Sequence, residues 1–368
     1  MRSIWTVIGA GLLSLHCSDR TAPVGDAELR GGPPAAARTK VTVLTLNMYP
    51  GTNLDLVVAA LASPDPTDDG PALGLAIQTL LETDYFARAG LLADEIARVR
   101  PHAVGLQEVS TFDIAAEVAG QAIQIDFLPI LEAALASRGL HYVEAGVGTN
   151  YSLTPVPGVS YGQGDALLVD SDRVTVTSAG HHIFTYNIGE VPPPGSGIVL
   201  LQGWSVADAM VAGRRIIFAS THLEANLGGT SLSALRAAQA AELVGSLPAG
   251  VPAIVMGDLN DEPGSLMYQV LTGAGMVDVW RALRPGVAGY TCCHDDDLGN
   301  PVARFDEHID YIFARGFGTG PAGLQGKISL FGDQPSERVA GPVHPLWPSD
   351  HAGLSVTLLT PASVRFSP

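Results

Sequence analysis

Residues 253–260 read Ala-Ile-Val-Met-Gly-Asp-Leu-Asn. A short, unbroken apolar run of this kind is the pattern of a strand buried in a sheet. The polar residues that end it, Asp258 and Asn260, stand two apart, so on extended backbone both can face one side. The arrangement recurs along the chain. Leu44-Thr45-Leu46 runs into Asn47, Val104-Gly105-Leu106 into Gln107-Glu108, and Ile217-Phe218-Ala219-Ser220 into Thr221-His222. His308-Ile309-Asp310 opens the segment Tyr311-Ile312-Phe313, and Ser349-Asp350-His351 precedes Leu354–Leu359. One polar residue at a strand end is an ordinary turn former. Six such ends, all carboxylate, amide or imidazole, point to one shared site, because a sheet fixes the positions of groups on the loops at its strand ends.

Around these points, Val/Ile/Leu-rich runs predict further strands at 166–169, 174–178 and 198–201. Helical spacing appears between them: Leu91, Leu92, Ile96 and Val99 share one side of 87–99, Leu235, Ala238, Leu243 and Leu247 one side of 231–247, and 130–137 gives a shorter helix. Strands alternating with helices predict an α/β domain over 41–368, with no internal linker or repeat. Residues 51–84, which hold Pro64-Asp65-Pro66-Thr67-Asp68-Asp69-Gly70-Pro71, read as the largest irregular insertion, either a lid or decoration.

The chain has 368 residues, 46% of them hydrophobic and 15% charged, which is ample for a large core and excludes a disordered, charge-rich tail protein. Its 42 Gly and 26 Pro favour many loops between short elements over a helical bundle. The net charge is −17, and Lys40 and Lys327 are the only lysines. Such a surface repels phosphate backbones, so tight non-specific nucleic-acid binding is disfavoured.

At the N-terminus, Arg2 precedes an uncharged apolar run, Ile4 to Leu15, too short to span a bilayer but suited to a signal peptide over 1–16. Cys17 follows, as in a bacterial lipoprotein signal, although His16 stands where a small residue is usual. Residues 17–40 read as a flexible leader. The expectation is an exported protein, either a periplasmic or outer-membrane lipoprotein anchored through Cys17 or an extracellular one. The remaining cysteines, Cys292 and Cys293, are adjacent, which excludes a disulfide framework and leaves a vicinal disulfide or two thiols.

Carboxylate and amide oxygens suit Mg²⁺ or Mn²⁺ rather than zinc. Two histidines can act as general base and as acid or phosphate donor. Together they equip a site for metal-assisted attack on phosphorus.

Leu46-Asn47, Leu106-Gln107-Glu108, Thr221-His222-Leu223, Gly257-Asp258-Leu259-Asn260, Ile309-Asp310-Tyr311 and Ser349-Asp350-His351 together resemble, in order and spread, the endonuclease/exonuclease/phosphatase superfamily. The resemblance implies a four-layer α/β/β/α sandwich, two mixed sheets flanked by helices, with the site at one edge. It implies that Glu108 is the principal metal ligand, supported by Asn47 and Asp350. His351 would activate water or bind the scissile phosphate, with Asp310 orienting it. Asp258 would position the nucleophile or protonate the leaving group, and Asn260 would bind phosphate. His222 matches the second histidine of the deoxyribonuclease I, 5-phosphatase and sphingomyelinase branches, and Tyr161 matches a tyrosine of the deoxyribonuclease I branch. Two positions depart from the pattern. His308 replaces an Arg, either altering orientation at Asp310 or as a surface change, and Gln163 stands where a Glu pairs with the second histidine, leaving Asp165 as a substitute. The implied protein is an exported, metal-dependent, monomeric phosphoesterase acting on a phospholipid or small phosphate ester. The alternatives are a secreted deoxyribonuclease I-like endonuclease and a non-catalytic binding module.

Outside the motifs, Arg236 and Gln239 read as scaffold hydrogen-bonders, His102, His181 and His182 as surface or packing residues, and Trp204 and Trp280 as core. His294-Asp295-Asp296-Asp297 reads as an exposed acidic turn, and Trp347 as either core or cleft lining.

Overall fold

The computed structural model describes residues 38–360, apart from 66, 192–197, 228 and 319–322. The signal segment, Cys17 and most of the leader lie outside the described residues.

Two mixed sheets carry the fold. In the first, the spatial order is Gly326–Phe331, Gly353–Leu359, Lys40–Asn47, Ala103–Ile114, Val159–Asp170 and Tyr142–Leu153, with Ile123–Asp126 added to the far end of Ala103–Ile114. In the second it is Val277–Asp278, Asp310–Arg315, Ala253–Asp258, Arg214–His222, Gly203–Val211 and Val174–Ile183. Each sheet has one parallel pair at its centre, Lys40–Asn47 with Ala103–Ile114 and Arg214–His222 with Ala253–Asp258. An antiparallel strand lies beside each pair. Parallel strands end on the same side, and an antiparallel neighbour begins there. The polar residues that close three strands therefore meet those that open Asp310–Arg315 and precede Gly353–Leu359, and Glu108 joins them from within Ala103–Ile114, which runs on past the expected strand end.

The strand alternation builds the layers. Val41 and Val43 face the second sheet and pack with Phe218, Ile254 and Met256. Leu44 and Leu46 face the other way, onto Leu92 and Ile96 of the helix Tyr85–Val99 and Leu131 and Leu135 of Phe127–Ala136. In the second sheet, Val255 and Ala219 face Leu243 of Ser233–Ser246 and Leu271 of Leu266–Gly273. The result is helix, sheet, sheet, helix, as expected. The sheets approach closely at Gly105, where a Cβ would lie 2.9 Å from both Met256 and Ser220 side chains. Next to it Gln107 donates to Ser220 Oγ at 2.9 Å and ties the two sheets together.

The structure corrects several elements. Residues 51–84 are largely helical, with Leu54–Leu61 capped by Asn53 and Asp69–Glu82 following. Pro71 falls in the first turn of the second helix, where its missing N–H costs nothing. The paired strands Tyr142–Leu153 and Val159–Asp170 are far longer than the apolar run 166–169 suggests. Gly146, Gly148, Gly162 and Gly164 interrupt their alternation and hide them. The expected strand at 198–201 shrinks to Val199–Leu200.

Candidate active site

Pair register sets the site. His222 lies opposite Asp258, and Asp258 opposite Asp310, so three polar residues stand in a row across the end of the second sheet. The first sheet supplies Asn47, directly opposite Gln107. Glu108 follows at a bulge between Leu106 and Val109, with φ of 56°. Bulges re-aim side chains, and this one turns Glu108 into a cleft that its strict alternation would have denied it.

The floor is closely hydrogen-bonded. Asp258 accepts from Asn47 Nδ2 and from the backbone N–H of Asn260, both at 3.0 Å. His351 Nδ1 donates to Asp310 Oδ2 at 2.8 Å, and its Nε2 lies 3.9 Å from Asp258 and 4.0 Å from Asp350. Burial works against a charged ring at His351, yet Asp310, Asp350 and Asp258 hold its pKa well above the ordinary imidazole range. His222 differs. Burial pushes it down, with the charge of His351 adding and that of Asp258 opposing. Asn260 Nδ2 reaches His222 Nε2 at 2.9 Å and Leu223 O at 2.9 Å, which fixes a neutral ring with its proton on Nδ1.

Glu108 and Asp350 offer hard oxygens in the same cleft. Burial, then the neighbouring charge of Asp350, pushes the Glu108 carboxyl up to about 8, while the side chain of Asn47 hydrogen-bonds to it and pulls the other way. Asp350 is likewise raised by burial. Two half-buried acids, the charge of one opposing ionisation of the other, beside an amide, form a donor set that fits a divalent, oxygen-preferring cation. Asp258, Asp310 and His351 also bring one ligand atom each within 4.8 Å of one another.

The cleft above this floor has an open volume of about 1100 Å³. Glu108, Asp350, His222 and Cys293 line it, with Asp55, Asp296 and Glu224 farther along. Among the described residues its lining holds no Lys or Arg. Cys292 and Cys293 are joined as a vicinal disulfide.

Other sequence expectations fall elsewhere. Tyr161 does not line the cleft. It packs against Phe112 at a ring separation of 4.9 Å within the first sheet's core, its hydroxyl 3.3 Å from Ser110 Oγ. Tyr151 lines the cleft instead and hydrogen-bonds to Gln163, so Gln163 is not directed at His222. Asp165 is fully buried, accepts from Asn150 Nδ2 at 2.9 Å and meets the backbone of His222, not its ring. His308 is no surface change: it is buried and stacks on Tyr311 at 4.5 Å. Trp347 belongs to the core, its Nε1 donating to Asn300 O at 2.7 Å. His294 is buried against Trp347 at 4.1 Å, while Asp295, Asp296 and Asp297 form the exposed acidic turn expected. Arg236 and Gln239 are scaffold, holding Glu224 O and the Glu224 N–H at 3.0 Å each.

The sequence reading missed Arg88. It is buried and donates to Met48 O at 2.8 Å and Pro348 O at 3.2 Å, clamping the loops that carry Asn47 and Asp350. Its signal was its spacing: it shares the apolar face of Leu92 and Ile96 at i+4 and i+8, where a charge needs a reason to be buried.

The family model for the Endonuclease/Exonuclease/phosphatase family matches residues 82–351. Solved structures share the fold. A family protein from Bacteroides thetaiotaomicron is 17% identical, with a TM-score of 0.56 over 90% of this chain and 99% of that one. A mannosyl-6-phosphatase from the same bacterium is 17% identical, with a TM-score of 0.53 over 86% and 99%. The human Nocturnin catalytic domain, bound to sulfate, is 18% identical, with a TM-score of 0.52 over 88% and 95%. A search of the curated proteins finds no match.

Proposed function

The chain belongs to the endonuclease/exonuclease/phosphatase family of metal-dependent phosphoester hydrolases, and from that premise we propose that it hydrolyses a small phosphate ester or a phospholipid headgroup rather than nucleic acid. The observation that supports this most is the cleft lining, which joins five carboxylates with no Lys or Arg among the described residues. A polyanionic strand would meet repulsion along its whole path. A single phosphoryl group needs compensation only at the floor.

In this reading Glu108, Asp350 and Asn47 hold Mg²⁺ or Mn²⁺. When bound, such an ion neutralises charge on the phosphoryl oxygens. The protein's own residues do the rest. His351, kept cationic by Asp310, donates from Nε2 to a phosphoryl oxygen. Asn260 and the neutral His222 border the same space and orient the ester. Asp258, held by Asn47 and the Asn260 N–H, takes a proton from water as the water oxygen bonds to phosphorus. The bond from phosphorus to the leaving oxygen breaks, and that oxygen takes a proton from solvent in the open cleft. The test is a panel of plasmid DNA, sphingomyelin, phosphatidylinositol phosphates and nucleotides, each with Mg²⁺ and with EDTA. Turnover of a small ester or lipid, lost in EDTA, is expected. Preferential cleavage of DNA would favour the nuclease alternative, and no turnover of any substrate the binding module.

We also propose export. Arg2, the apolar run to Leu15 and Cys17 support it. Intact-mass analysis should find a mature chain beginning at Cys17 or within 18–40, with a diacylglycerol increment on Cys17 if it is a lipoprotein. Met1 retained on a cytosolic protein would refute it.

A further inference from the structure

Glu224 stands two residues past His222, on the lining of the same cleft, and is 3% exposed. Its backbone is committed to Gln239 and Arg236. Its carboxylate is approached by the Ile188 N–H and the Gln239 side chain. Its Oε2 nevertheless has no hydrogen-bond partner. A buried carboxylate oxygen left unpaired costs free energy. Arg236 favours the charged carboxylate through space but gives Oε2 no hydrogen bond: its Nη1 is spent on Glu224 O and Asn226 Oδ1 and its Nε faces Asp261 at 3.2 Å.

The surroundings deepen the deficit. Asp55 and Asp296 lie close enough that Asp296, after burial, raises the Asp55 carboxyl. The hydroxyl of Tyr151 feels Glu108, Glu224 and Asp55 together, so these carboxylates surround one stretch of cleft. The two histidines on the lining do not compensate. Burial pushes His294 down to about 4 and lowers His222 as well. If Glu108 and Asp350 serve the divalent ion, Glu224, whose carboxyl burial raises to about 7, and the exposed Asp55 and Asp296 keep this stretch of cleft acidic, with no Lys or Arg on its lining among the described residues.

We propose that Glu224 is the anchor of a subsite for a primary ammonium group, so that the preferred substrates are phosphoesters of amino alcohols. This rests on the phosphoesterase reading above and names the substrate class of that site. An ammonium supplies both missing properties, a positive charge for the three carboxylates and a hydrogen for Oε2. A quaternary ammonium supplies the charge alone, and a neutral alcohol the hydrogen alone.

The test is calorimetric binding to the Mg²⁺-loaded full chain near neutral pH, with 2-aminoethyl phosphate, ethyl phosphate and phosphocholine as probes. 2-Aminoethyl phosphate should bind at least about tenfold more tightly than ethyl phosphate, equivalent to about 1.4 kcal/mol. It should also exceed phosphocholine, and Glu224→Gln should abolish the gain. Asp55→Asn, which leaves Glu224 in place, should reduce it and serves if Glu224→Gln does not fold. Ethyl phosphate binding with no aminoethyl gain, or a gain that survives Glu224→Gln, overturns the inference alone. A second bound Mg²⁺ lost in Glu224→Gln would assign the carboxylate to metal and overturn it too. No binding by any of the three phosphates overturns the phosphoesterase reading and this inference with it.

Discussion

Carboxylates occupy both the floor and the wall of the cleft, in different settings. On the floor, Asp258 is held by Asn47 and the Asn260 N–H, and Asp310 by His351 at 2.8 Å. On the wall, Glu224 is just as buried, yet its Oε2 has no partner. Burying a polar group is costly unless its hydrogen bonds are made. The floor meets that condition from within the chain for Asp258 and for the Asp310 oxygen that holds His351, leaving Asp310 Oδ1 as its one orphan, and its geometry is largely set by the chain. The wall does not, and so is shaped for something the chain lacks. The difference separates residues that would perform the reaction from residues that would select what is reacted.

If the comparison is right, changes on the floor strike turnover and changes on the wall strike selection. The largest effect is expected at the imidazole pair. His351→Ala and Asp310→Ala should each lower kcat by about a thousandfold or more, and the double variant should lose little beyond either single one, because the two act as a unit. Steady-state kinetics of the three variants check this, and additive losses would separate the pair. His222→Ala should cost less, on the order of ten- to a hundredfold, since a neutral ring held by Asn260 contributes position and not charge. Losses as large as those at His351 would contradict the split between the two histidines.

A third effect is thermodynamic. The Glu108 carboxyl is raised above its unfolded value, to about 8, by burial and Asp350. Its contribution to stability without metal is thus fully present below the unfolded pKa and is lost as pH rises through about 8. A cation that replaces the proton reverses the loss. The Mg²⁺-induced rise in Tm, measured against EDTA, should therefore be larger at about pH 9 than at about pH 6. An equal rise at both would remove Glu108 from the metal site. The smallest effect belongs to Gln163→Glu. Gln163 accepts from Tyr151 rather than serving His222, so the rate should change by less than about twofold and the pH profile should hold its position. A shift of the profile to higher pH would restore Gln163 as the partner of His222.

Much of the floor was legible in the sequence because its residues close or open strands, and strand ends announce themselves as apolar runs broken by a single polar group. Asn47, His222, Asp258, Asp310 and His351 all carry that mark. Glu108 was legible as a residue but not as a geometry, since no spacing announces the bulge that turns it. The wall was not legible. Asp55 lies on a helix within a segment whose prolines suggest a loop, and Asp296 is in the exposed turn expected, with nothing local to show that the turn borders the cleft. Glu224 follows a strand end by two residues, with nothing local to show that Gln239 and Arg236, from a separate helix, would bury it. Tyr161 was misplaced for a related reason. It shares a glycine-broken strand pair with Tyr151, and the partner strand, not the motif, decides which tyrosine reaches the cleft.

The central claim is that the floor is a divalent-metal phosphoesterase site built on Glu108. The direct measurement is the initial rate of bis-p-nitrophenyl phosphate hydrolysis as Mg²⁺ is titrated, for the wild-type chain and for Glu108→Gln, with circular dichroism to confirm that both are folded. The wild type should show a saturable, EDTA-sensitive rate, and the folded Glu108→Gln variant should fall by about a thousandfold at limiting Mg²⁺, about 4 kcal/mol of barrier. A Glu108→Gln rate equal to that of the wild type at limiting Mg²⁺, or a wild-type rate indifferent to EDTA, would contradict it.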